Sequence, residues 1–135
     1  MNLAIWDIES SSASTDFGSI IEIGGVLVDE NFKEKDRFNL RCSLPEGVIF
    51  QAMALIVNKT SIKQLTQTNL SHYKMLAEVE KIFKKWSPAV FLGWSNIGFD
   101  DEMIRKEFFK GIRYPYLTNA CLLYTSDAAD EPLSV

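Results

Sequence analysis

The sequence has few of the residues that build soft-metal sites and covalent cross-links. Its 135 residues include two cysteines and one histidine. Cys42 and Cys121 stand far apart, with no Cys-x-x-Cys pair and no Cys/His cluster. This argues against structural zinc and against a disulfide framework, and it fits a reducing, cytoplasmic setting. Long apolar runs are also missing. No stretch approaches the roughly 20 residues of a membrane-spanning helix, and the first apolar run is short and ends in acids, unlike a signal peptide. Positive charge is in deficit: 14 Lys and Arg against 18 Asp and Glu leave a formal net charge of −4. That balance gives no support to wholesale electrostatic capture of nucleic acid. It leaves room for an enzyme that meets phosphates through bound cations.

What is present is an ordinary globular composition, 47% hydrophobic and 24% charged, on a chain long enough for one domain and one sizeable core. Residues 3–8 read as a short buried strand, and the small polar residues from Ser10 to Gly18 read as a loop. The β-branched run from Ser19 to Asp29 predicts a second strand. The polar/apolar alternation from Lys35 to Cys42 predicts a third with one wet face. A short turn at Asp29–Phe32 makes these two an antiparallel hairpin. Val48–Val57 is apolar and ambiguous between helix and loop, and Lys63–Thr68 reads as a short helix with Ser61 as its cap. Leu76, Val79, Ile82, Phe83 and Trp86 fall at helical spacing and predict a helix over 73–86. Ala89–Trp94 reads as a buried strand. A further helix is predicted from about Asp100 to Lys110, with Met103, Ile104, Glu107 and Phe108 inward or at the boundary. The order β-β-β-α-β-α predicts an α/β domain with a mixed sheet, the helix over 73–86 serving as the crossover that parallel pairing needs.

Two carboxylates in an apolar run need explaining. In Leu3-Ala-Ile-Trp-Asp7-Ile-Glu9, residues two apart share a strand face, so Asp7 and Glu9 stand side by side at the strand's C-terminal end. Their repulsion is relieved by a shared divalent cation or by solvent at an exposed strand end. Asn96-Ile-Gly-Phe-Asp100-Asp101-Glu102 adds a third candidate, an Asp opening a helix just after a second strand. Plain N-terminal capping explains it equally. Together, acids at the ends of two strands are what a two-metal phosphoryl site requires.

Trp6-Asp7-Ile8-Glu9, Ser19-Ile-Ile-Glu-Ile-Gly-Gly-Val26 and Gly93-Trp-Ser-Asn-Ile-Gly-Phe-Asp-Asp-Glu102 resemble the first two motifs of the DEDD-superfamily 3′–5′ exonucleases, the exonuclease I branch in particular. Arg105, Phe108-Phe109 and Tyr114-Pro-Tyr116 extend the likeness, which covers roughly residues 3–118. The resemblance implies a ribonuclease H-like fold, a mixed sheet flanked by helices. It also implies hydrolysis from the 3′ end of single-stranded DNA or a related nucleic acid, with two Mg²⁺ or Mn²⁺ ions and no small-molecule cofactor. Asp7, Glu9 and Asp100 are the implied catalytic and metal-holding residues, Asp7 bridging both ions, and Asp101 is a helix-start charge or supporting contact. Ser10, Ser11 and Asn96 are candidate substrate contacts, although Ser10 and Ser11 also read as plain loop. Three departures stand out. Ser95 replaces the first Asn of the second motif. Asn58 and Lys59 replace the small residues usual in the segment covering the terminal nucleotide. The family's third motif, a general-base His followed by a final Asp, has no counterpart here, because His72 lies too early in the chain and reads as a solvated loop or helix-start residue. Residues 121–131 resemble a translated sequencing adapter. The expected organisation is therefore a partial exonuclease domain over 1–120, cut before the third motif, and a non-native tail over 121–135. Such a fragment is expected to hold metal weakly and to catalyse poorly. A non-catalytic nucleic-acid-binding domain of the same fold is the alternative.

Overall fold

A computed structural model describes residues 1–93 and 99–118. The first three strands are β1 (Asn2–Ser10), β2 (Ile20–Val28) and β3 (Glu34–Arg41). Two short helices follow, α1 (Ala52–Asn58) and α2 (Ile62–Gln67), then the long α3 (His72–Trp86), β4 (Ala89–Leu92) and α4 (Asp101–Lys110). The four strands form one mixed sheet in the order β3-β2-β1-β4. β1 pairs antiparallel with β2 and parallel with β4, and β2 pairs antiparallel with β3. The parallel closure of β1 on β4 follows the crossover through α3, the connection that parallel neighbours demand.

Alternation sorts the faces of β1. Ala4, Trp6 and Ile8 are buried, while Ile5 and Asp7 between them are exposed. The buried side meets Met75, Leu76, Val79, Phe83 and Trp86 of α3 and Met103, Ile104 and Phe108 of α4. Phe83 is the centre of this core. Its ring lies edge-on to Trp6, Phe38 and Phe91, with centroids 5.7, 6.1 and 5.1 Å away. Gly25 admits this packing: a Cβ there would come within 2.9 Å of Phe38 Cε1 and 3.3 Å of Trp86 Cη2. A smaller cluster of Ile21, Leu55 and Leu65, with Leu44 and Phe50 against it, docks α1 and α2.

Helix boundaries follow their caps. Ser71 accepts the Lys74 N–H at the start of α3, and Ser61 forms a reciprocal capping box with Gln64 at the start of α2. The ambiguous apolar segment, residues 48–57, is helical only from Ala52 onward, as α1. The helix ends at Lys59, whose φ of 55° lies in the left-handed region usually filled by glycine.

Candidate metal-binding carboxylate site

β1 carries Asp7 and Glu9 to its C-terminal end on the face opposite the core. Register places Asp7 against Gly24 and Glu9 against Glu22, and Glu22 in turn against Arg41. Arg41 pairs with Glu22 and also donates to Thr60 Oγ1 at 3.4 Å. Glu9 is thus one end of a cross-strand row of two acids and one base. Its carboxyl is raised above the ordinary glutamate range by burial, then by Asp7 and Glu22, with Arg41 working against them.

Asp100 comes to the same place from the far end of the chain. It has helical dihedrals, makes no side-chain cap bond and is 4% exposed. Its carboxyl lies within hydrogen-bonding reach of Asp7. Burial first, and the Asp7 carboxylate second, push it up to about 8, against a smaller contribution from the Ile8 backbone N–H. Asp100 Oδ2 is buried without a hydrogen-bond partner. Capping therefore does not account for Asp100. It is an acid driven into another acid, an arrangement stabilised only by a proton or a cation.

The donor set fits a hard cation. It consists of carboxylate oxygens: the Asp100 carboxyl beside Asp7, and an Asp100 Oδ2 that is buried without a hydrogen-bond partner. Among the described residues, no three His, Cys, Asp or Glu side chains lie close enough to hold a metal ion as they stand. The Asp7–Asp100 pair is assembled, and Glu9 flanks it on β1.

The other sequence candidates have definite places. Asp101 is 1% exposed, accepts from Thr118 Oγ1 at 2.6 Å and pairs with Arg105 at 2.6 Å. It is a supporting contact that fixes the start of α4, and burial raises its carboxyl despite both partners. Ser10 and Ser11 are buried. Ser10 Oγ donates to Ser12 O at 2.7 Å, and Ser11 Oγ accepts the Ser19 N–H at 2.9 Å. Asn58 donates to Ser10 O at 2.8 Å and ties α1 to the end of β1. Asn96, Trp94 and the segment from Cys121 lie outside the described residues. His72 corrects the sequence reading. It starts α3 as expected, but it is not solvated: its side chain is 15% exposed, with Nε2 3.2 Å from Glu107 Oε1. Glu107 was legible only as an inward-facing position on α4. The structure makes it a buried acceptor for Ser19 Oγ at 2.8 Å and the Ile20 N–H at 2.7 Å.

A mixed β3-β2-β1-β4 sheet with helices against it, and acids at the end of its central strand, is a ribonuclease H-like α/β fold. More narrowly, it is an exonuclease I-like fold. The chain superposes on E. coli exonuclease I in complex with a dA16 oligonucleotide with a TM-score of 0.78 and 18% identity, over 85% of this chain and 25% of that one. The metal-free complex of the E. coli enzyme with single-stranded DNA gives the same values. Exonuclease I from Methylocaldum szegediense gives a TM-score of 0.79 and 18% identity, over 87% of this chain and 25% of that one. The chain thus spans about a quarter of the length of these structures. No protein-family model matches the sequence, and no curated protein matches it.

Proposed function

We propose that this chain is the N-terminal part, over residues 1–120, of a metal-dependent 3′–5′ exonuclease acting on single-stranded DNA or a related nucleic acid. The observation that carries the reading is the Asp7–Asp100 pair: two acids 93 positions apart in sequence, pressed together with an orphaned buried oxygen. Such an arrangement is unstable alone and useful around a divalent cation. The neighbouring complexes with single-stranded DNA support the substrate class.

In this reading Asp7, Glu9 and Asp100 would hold two Mg²⁺ or Mn²⁺ ions. Bound there, the cations supply Lewis acidity and charge neutralisation at a phosphodiester. The chain's own part is positioning. Asp7 and Glu9 are fixed by the β1–β2 ladder, and Asp100 by the first turn of α4, which Asp101, Arg105 and Thr118 hold in place. Ser10 and Ser11 shape the loop beside the site, and Asn96 is a substrate contact.

The test is a Mn²⁺-dependent assay of the full-length protein on 3′-labelled single strands. Wild type should shorten the strands stepwise, while Asp7→Ala and Asp100→Ala should each lose at least about 100-fold, roughly 3 kcal/mol of transition-state stabilisation. Digestion by Asp7→Ala at the wild-type rate would remove the site from the reaction.

A further inference from the structure

The loop after β1 is strapped along α4. Thr15 Oγ1 donates to Glu102 Oε1 at 3.3 Å, Lys106 Nζ donates to Thr15 Oγ1 at 3.0 Å and pairs with Asp16, and Lys110 Nζ donates to Asp16 O at 2.9 Å. The Asp16, Lys106 and Glu102 charges are at least a third exposed or nearly so, and exposed pairs hold little. One contact differs. Glu107 is 4% exposed and gathers the Ser19 hydroxyl, the Ile20 N–H and the His72 imidazole on a single oxygen. Ser19 is in turn knotted to Ser11, its N–H donating to Ser11 Oγ and its carbonyl accepting the Ser11 N–H, both at 2.9 Å. Ser11 lies two residues beyond Glu9.

We infer that Glu107 is a positioning residue of the carboxylate site, the buried clamp that sets the helix bearing Asp100 against the strand bearing Asp7. The inference rests on the reading of that site as a cation site. The geometry is direct. Glu107 is seven residues after Asp100, two helical turns or about 10 Å along α4. Held at that point by hydrogen bonds from Ser19 and Ile20 at the start of β2, with His72 of α3 against the same oxygen, the helix cannot slide or roll without breaking them. A shift of a few tenths of an ångström at Glu107 is transmitted to Asp100 by the stiffness of the helix. A carboxylate buried at this cost would be replaced by an apolar side chain if packing alone were its purpose.

Mn²⁺ binding to this 135-residue chain, followed by electron paramagnetic resonance, tests the inference. Measurements are made at a temperature where circular dichroism shows every variant folded. Glu107→Gln keeps the length and the accepting oxygen and should bind within about twofold of wild type. Glu107→Asp keeps the charge but draws back by one methylene, and should bind about tenfold more weakly, as should Glu107→Ala where it folds. Asp7→Ala is the control. If Glu107→Asp binds as wild type does while Asp7→Ala loses the ion, the clamp is refuted and the cation site stands. If Glu107→Gln falls as far as Glu107→Asp, charge rather than reach governs the site, and the clamp is again refuted. If wild type binds no more tightly than Asp7→Ala, the cation site and the clamp fall together.

Discussion

Asp100 and Glu107 are both buried acids on or beside one helix, yet their proton affinities move in opposite directions. Asp100 is raised to about 8 by burial and Asp7. The folded state thus holds a proton that the unfolded chain releases near 4, and stability falls as pH rises between those values. In metal-free buffer the wild-type melting temperature should decline from pH 5 to pH 8. Asp100→Asn should be more stable than wild type at pH 8, by on the order of a few kcal/mol of unfolding free energy, and should melt higher there with a shallower decline; a lower melting temperature would refute the penalty. For Glu107, burial alone would raise the carboxyl, but His72, Ile20 and Ser19 outweigh it and the group ends below the ordinary value. Its contribution is therefore present above about pH 4.5 and is lost as pH falls through the lowered value. Glu107→Gln should flatten the acid limb of the melting curve between pH 5 and pH 3, while leaving the alkaline limb governed by Asp100 unchanged. Motif spacing singled out Asp7, Glu9 and Asp100 in the sequence, and the structure brings the carboxyls of Asp7 and Asp100 together. The Ser19–Glu107–His72 knot was not, since its members are 35 or more positions apart and each alone is an ordinary surface residue type.

At the scale of the element, periodicity was the reliable guide. The alternation of β3 and the stripe on α3 each predicted an element whose observed ends differ by at most one residue from the sequence reading. α1 had no such signal, because only Leu55 of Ala52–Asn58 is buried while Met53, Ile56 and Val57 are 68–71% exposed. An apolar helix without an inward stripe cannot be told from an apolar loop by spacing alone. α3 owes its place to Phe83, which is wholly buried among Trp6, Phe38 and Phe91. Phe83→Ala should cost about 3–5 kcal/mol in urea unfolding. A loss under about 1 kcal/mol would show that the ring does not centre the core. The end of α3 is fixed separately, by Trp86 Nε1 donating to Asp36 Oδ2 on β3 at 2.9 Å.

Across the whole molecule, the sheet is anchored at its middle and thin at its margins. β1 and β2 have a paired neighbour on each side, while β3 and the four-residue β4 lie at the edges. Amide exchange should be slowest at Ile5–Ile8 and Ile23–Val26 and fastest, among the elements, in α1, which rests on a cluster of three buried residues. Protection of α1 equal to that of β1 would contradict this ranking. The fold class was legible from the order of elements, since a strand returning through a helix implies parallel pairing. The sheet order was not, because nothing local in the sequence says which edge of the hairpins β4 will join.

The two acids that meet at the end of β1 come from opposite ends of the described chain, and that separation has a kinetic corollary. β1, β2 and β3 are consecutive and joined by short links, so a nascent chain can knit them before residue 100 has been synthesised. The electrostatic burden therefore arrives last, when a nearly complete sheet receives α4. Mild denaturant should release that helix before the hairpins part, and divalent ions should delay its departure.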